Sequence, residues 1–140
     1  MRVAFWLLKT EPEEYGYADL VAAGRDRWDG VKNPTALKHL RAMVPGDQAF
    51  IYHTGKERAV VGLAEVVSHP YPDPEAGDPR LVVVDVAPRG RLAQPVPLAA
   101  IKADPAFAGW ELVRIPRLSV MPVSPEHWER ILQMGGGLAP

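Results

Sequence analysis

Fifteen prolines are spread through a chain of 140 residues, about twice the usual share of roughly 5%. Proline has no amide hydrogen to give to a helix interior or a sheet ladder, and its ring fixes the backbone φ angle. The chain is therefore restricted to short helices, short strands and many turns, and long helices and coiled coils are excluded. Some prolines help an element start. Pro34 and Pro125 each suit the first turn of a helix, the second behind a capping Ser124. Between the prolines, hydropathy predicts strands at 3–8, 48–53, 59–68, 80–87 and 111–115. It predicts helices at 17–23, at about 34–43 and from 125 to the glycines at 135–137, with one helical turn at 98–102. Residues 25–33 read as irregular, and 88–97 as turns because they hold Pro88, Gly90, Pro95 and Pro97. Gly62, inside the strongest strand signal, marks a bulge or the close approach of another backbone. No repeat or linker interrupts the pattern. Residues 1–140 read as one α+β domain, a strongly bent sheet or small barrel with helices packed on it.

Composition narrows the function. With no cysteine, disulfides, thiol nucleophiles and thiolate metal sites are excluded. The four histidines share no metal spacing, and no nucleotide-binding or hydrolase motif is present, so no cofactor or metal is expected. No apolar run approaches a membrane span, and the apolar run before Lys9 lacks a cleavage site, which places the protein in the cytosol and away from membranes. Eleven arginines to five lysines and a single asparagine point to a heat-adapted source. The net charge of −1 does not suit a protein that grips duplex DNA by phosphates alone. Locally, residues 25–41 hold five Lys/Arg against two Asp, and residues 80–117 hold six against three acids. Each stretch carries +3, enough for a modest basic rim if they converge and otherwise a mixed solvated surface.

Polar and aromatic residues gather at strand ends, where a rigid sheet positions groups that loops expose. Lys9, Thr10 and Glu11 leave the first strand, Trp28 to Asn33 occupy the irregular stretch, and Tyr52, His53 and Thr54 end the second strand. Each has an ordinary structural alternative: an ion pair for Lys9 and Glu11, a core position for Trp28, a helix cap for Asn33, a satisfied strand-end imidazole for His53.

Read in order, Trp6-Leu7-x-Lys9-x-Glu11-Pro12, Trp28-Asp29-Gly30-Val31-Lys32-Asn33, Met43-x-x-Gly46-Asp47 and Phe50-x-Tyr52-His53 resemble the EVE domain. The resemblance continues through Val61-Gly62-Leu63-Ala64-Glu65-Val66-Val67, Tyr71-Pro72-Asp73, Val84-Asp85-Val86 and Arg117-Leu118-Ser119-Val120-x-Pro122-Val123, and so runs from Met1 to about Leu132. Lys32 stands where the family often has Arg, and Thr54 where it often has Ser. The resemblance implies a PUA-like fold, a mixed and strongly bent sheet or pseudo-barrel flanked by short helices, related to the YTH and ASCH families. It also implies a pocket that receives a modified, methylated base of DNA or RNA; open sheet edges allow a dimer, but a monomer is expected.

By similarity to YTH readers, Trp28 is one aromatic wall of that pocket, with Tyr52 or Trp6 as a second. Asp29, Gly30, Val31, Asn33, His53, Leu118 and Ser119 complete it, and Lys9, Thr10, Glu11 and Lys32 form its rim. Such a pocket is physically sound, since stacking on an aromatic ring replaces a base's neighbours and is worth about 1–3 kcal/mol. Two other readings stand beside the reader. An ASCH-like amidohydrolase acting on modified nucleosides would use Lys9, Thr10 and Glu11, with His53 as base. Strand alternation lets at most Lys9 and Glu11 face one pocket. The other is a protein-interaction scaffold with a vestigial pocket.

Overall fold

The computed structural model describes residues 3–140. Seven strands, β1 (Phe5–Thr10), β2 (Asp26–Trp28), β3 (Gln48–His53), β4 (Ala59–Val66), β5 (Tyr71–Pro72), β6 (Val82–Pro97) and β7 (Val120–Val123), form one curled sheet. Its order is β2-β6-β4-β3-β1-β7, and β5 also pairs with β6. β1 and β3 run parallel, and the other pairings are antiparallel. Five helices flank the sheet: α1 (Tyr17–Ala23), α2 (Pro34–Arg41), α3 (Leu98–Ala103), α4 (Glu111–Arg114) and α5 (Pro125–Met134). The α+β fold with a PUA-like, strongly bent sheet flanked by short helices, expected from the sequence, is the fold observed, the sheet curling into a half-barrel.

The helices start where the sequence provides caps. Asn33 Oδ1 accepts the Ala36 N–H at 3.0 Å and Pro34 opens α2, while Ser124 Oγ accepts the His127 N–H at 3.1 Å and Pro125 opens α5. On the sheet, Phe5, Leu7, Phe50 and Tyr52 share one face, as the parallel register requires. There Trp128 of α5 stacks on Phe50 at 3.8 Å and on Phe5 at 4.5 Å between ring centroids. Trp6 points to the other face, beside His39 of α2.

Two polar devices lock this arrangement. The buried Asp47 carboxylate accepts from Trp6 Nε1 (3.0 Å), the Ala4 N–H (3.2 Å) and the Val44 N–H (3.1 Å). Tyr17 lies over Gly62, its hydroxyl donating to the Leu63 carbonyl at 2.6 Å and accepting from the Gly90 N–H at 3.0 Å. A Cβ on Gly62 would sit 2.7 Å from the Tyr17 ring and 3.0 Å from the Gly90 carbonyl oxygen. The close approach expected at Gly62 is therefore real, and the β3–β4 and β4–β6 registers both shift beside it.

The sequence pattern departs from the structure in three places. Where turns are expected at 88–97, β6 runs on to Pro97. Pro88 and Pro95 fall where the β4–β6 register slips, and Pro97 at the last pair, so their missing N–H groups cost little. Residues 111–114 are helical rather than a strand, burying Leu112 behind the left-handed Gly109. A short apolar run does not discriminate strand from helix. β2, β5 and β7 arise in stretches with no strand reading of their own, as two to four residues each paired against a longer neighbour.

Gly62→Ala should destabilise the protein by about 1–3 kcal/mol through overpacking. Urea denaturation of both proteins checks this, and a change within about 0.5 kcal/mol would show that Tyr17 moves aside freely. Asp47→Ala leaves the buried Trp6 Nε1–H and two part-buried amides without their acceptor and should cost about 2–3 kcal/mol, read as a lowered denaturation midpoint at unchanged slope.

Candidate nucleic-acid interface

The ends of β1 and β2 and the segment before β7 enclose a cavity of about 360 Å³, within the roughly 300–1,000 Å³ typical of small-ligand sites. Its lining brings together Lys9, Thr10, Trp28, Asp29, Gly30, Val31 and Ser119, seven of the residues singled out from the sequence. β1 delivers Lys9 and Thr10; the Lys9 N–H donates to the Ser119 carbonyl at 2.9 Å, which places Ser119 beside them. β2 delivers Trp28 through its pairing with Val84, and Gly30, at φ 78°, turns the chain in the left-handed region just after it.

Three further residues line it: Tyr15, which escapes the sequence reading, and Asp26 and Arg27, which enter that reading only as charges of the 25–41 stretch. Tyr15 meets Trp28 edge-on, with centroids 6.2 Å apart and planes at 86°. Its hydroxyl donates to Asp26 Oδ2 at 2.6 Å, and burial together with this carboxylate pushes its pKa well above the ordinary phenol value. The available signal was alternation: in a strand that carries Trp28 inward, Asp26 faces the same side. Tyr15 reaches the site only through the 11–16 turn, where its carbonyl accepts from Thr10 Oγ1 at 2.6 Å. No sequence periodicity announces that contact.

Several expected residues lie elsewhere. Tyr15, not Tyr52 or Trp6, gives Trp28 its aromatic neighbour. Trp6 is tied to Asp47, and Tyr52 lies on the far side of Lys9, whose ammonium stands 5.5 Å from its ring centroid. Asn33 spends its side-chain oxygen on the α2 cap. His53 is a satisfied strand-end histidine: the Tyr17 N–H donates to Nε2 at 3.0 Å, and Nδ1–H donates to Glu57 at 2.7 Å. Leu118 is core, at 2% exposure, because only its neighbour Ser119 turns to the cavity. Lys32 projects to solvent, outside the lining. Glu11 faces the 54–55 turn, accepting from Thr54 Oγ1 at 3.3 Å, and forms no ion pair with Lys9. Lys9 and Thr10, rather than Lys9 and Glu11, line the cavity.

The electrostatics are mixed. Asp26 and Asp29 line the cavity with Lys9 and Arg27. Burial lowers the Lys9 pKa from its ordinary value. The basic stretches do not converge as a free rim, because acids answer many of their cations. Arg25 pairs with Asp85 (3.1 Å), Arg27 with Glu75 (3.1 Å), Arg80 with Asp78 (2.9 Å) and Arg89 with Glu65 (3.1 Å). Asp29 is exposed at the mouth, and its carboxylate makes no hydrogen bond among the described residues. What the cavity offers is the part of Trp28 that is left open by its core position, at 6% exposure, with an apolar patch at Val31, carboxylate acceptors and hydroxyl and ammonium donors.

Comparison with known proteins agrees with this architecture. The EVE domain matches residues 4–134. Thymocyte nuclear protein 1 of Mus musculus is 32% identical over an alignment of 164 positions, covering 93% of this chain and 73% of that protein. The structure of Rpa0253 from Rhodopseudomonas palustris is 42% identical, covers 96% of this chain and 94% of its own, and superposes with a TM-score of 0.90. The human THYN1 protein, solved in complex with DNA containing 5-methylcytosine, is 30% identical, covers 97% and 99% of the two chains, and superposes with a TM-score of 0.85. With its fold, motif order and relatives in accord, the chain belongs to the EVE domain family.

Proposed function

We propose that this chain is a non-catalytic reader that takes a methylated base, cytosine foremost, out of a nucleic-acid strand and into the Trp28 cavity. The observation that carries this reading is the cavity's chemistry: an aromatic wall, an apolar patch and carboxylate acceptors within one enclosure. An extruded base loses its stacking partners, and Trp28 replaces them. Cytosine presents an amino group on its pairing edge, which Asp or Glu side chains accept; Asp29 is free to do so, and Asp26 already accepts from Tyr15. Ser119 and the ammonium of Lys9 supply donors for the ring nitrogen and the carbonyl oxygen. The methyl group fills space near Val31 and makes no bond. Support also comes from the human THYN1 protein, whose bound DNA contains 5-methylcytosine.

The amidohydrolase reading draws no support from the geometry. Thr10 Oγ1 is committed to the Tyr15 carbonyl, Glu11 to Thr54, and both His53 nitrogens have partners. Modified nucleosides incubated with the protein are expected to come back unchanged.

Calorimetric titration with short single strands carrying one central cytosine, 5-methylcytosine or thymine tests the reader. A single methyl contributes about 1–3 kcal/mol in a pocket, so 5-methylcytosine should bind more tightly than cytosine by about tenfold or more. Thymine has the same methyl but turns an oxygen towards the carboxylates, and should bind weakest of the three. Equal binding of thymine and 5-methylcytosine would remove the carboxylates from recognition. Trp28→Ala should abolish the methyl preference, and a folded variant that keeps it would place recognition outside this cavity.

A further inference from the structure

A second cavity, of about 300 Å³, opens between the 54–58 turn and α3, with Lys9, Arg58 and Lys102 in its lining and no carboxylate. Elsewhere Arg25, Arg27, Arg80, Arg89 and Arg130 are answered by acids. Among the described residues, Lys9, Arg58 and Lys102 form no salt bridge. Glu11 does not enter the cavity. It braces the turn through Thr54 and lies against Gly55.

Arg58 is held there at some cost. Its φ of 44° is the positive value found at a non-glycine residue among the described residues, and such backbone strain persists only where the surroundings enforce it, often at ligand clamps. Here the Leu98 N–H donates to the Arg58 carbonyl at 2.8 Å, and Arg58 Nε donates to the Gly55 carbonyl at 3.3 Å. The first bond ties the turn to the start of α3, the helix that carries Lys102. Lys9 lines both cavities and forms the partition between them, its Nζ donating to the Pro116 carbonyl at 2.8 Å. A chain with net charge −1 has no diffuse positive field to hold a strand, so its phosphate contacts have to be local.

We propose that the Lys9–Arg58–Lys102 cavity is an anion subsite for the backbone phosphate of the nucleotide next to the one whose base enters the Trp28 cavity. This rests on the base-reader reading for its ligand, while its own chemistry is that of a phosphate clamp. Lys9 then touches both parts of the ligand, and Arg58 and Lys102 touch the phosphate alone.

The test is a salt titration of short single strands with central cytosine or 5-methylcytosine, followed by fluorescence anisotropy, on wild type, Lys102→Ala and Arg58→Gly. Glycine keeps the left-handed backbone at 58, and Lys102→Ala, at an exposed helix end, carries the test if the other variant does not fold. Both variants should weaken binding of the two strands by the same factor and leave the methyl preference intact. Each lost contact on a single strand lowers the salt slope by about 0.7, so the weakening between 50 and 200 mM salt shrinks by about 2.6-fold per variant. An uncharged methylphosphonate at the linkage beside the central base should reproduce the loss in wild type and cancel the difference between wild type and variants.

Wild-type affinity and slope in both variants, with Trp28→Ala alone impaired, would overturn the subsite and leave the reader standing. A loss that persists on the uncharged linkage would overturn it too. So would displacement of the strand by inorganic phosphate at fixed ionic strength with no methylphosphonate effect, which would assign the cavity to free phosphate. If instead wild type shows no methyl preference while the methylphosphonate-sensitive losses remain, the subsite holds and the base-reader reading falls.

Discussion

The carboxylate of Asp47 sets the alignment on which the two cavities depend. β1 and β3 are parallel neighbours at the centre of the sheet, and no tight turn joins parallel strands to fix their register. Asp47 does this work by standing just before β3 and accepting from Ala4 and Trp6 on the β1 side and from Val44 on its own turn. The resulting register puts Lys9 opposite Tyr52 and Thr10 opposite His53. A slip of one residue would reverse every side chain on the strand. Lys9 would leave the partition between the two cavities, and Leu7 would lose its place beside Phe50. A polar group hidden in the core thus governs a site at the far end of the strand.

The rest of the site follows from how charge is distributed. Acids meet Arg25 just before β2, Arg27 on β2 and Arg89 on β6, so those side chains hold loops and strands together. Among the cations without an acidic partner, Lys9, Arg58 and Lys102 lie together at the ends of β1, β4 and α3. Near-neutral overall charge is then compatible with nucleic-acid binding, provided that affinity comes from enclosure and from a few placed contacts. The same economy explains the committed hydrogen bonds of Thr10 and His53, which brace the walls.

What was legible in the sequence was whatever a segment decides for itself. β3 and α1 match their predicted bounds because continuous apolar runs and helical spacing settle them locally, and the α2 and α5 starts follow from Asn33-Pro34 and Ser124-Pro125. β2, β5 and β7 were not legible, since a strand of two to four residues exists by virtue of its partner. The second half of β6 was hidden by its own prolines, which only the register slips of β4 make tolerable. In the site, Trp28 to Val31 and Lys9 stood out through the family pattern. Tyr15 did not, because a turn and a single hydroxyl contact bring it there, and Asn33, His53 and Leu118 were drawn in although capping, a strand-end hydrogen bond and core packing already occupy them.

β2 and β7 are the two margins of the sheet, and the Trp28 cavity takes its lining from one margin and from Ser119 at the entry to the other. The half-barrel therefore has a seam, and the cavity is that seam. A ligand seated there acts as a missing stave, bridging edges that the backbone leaves unjoined. Occupancy would be felt along both margins, slowing amide exchange in strands that share no hydrogen bond with one another.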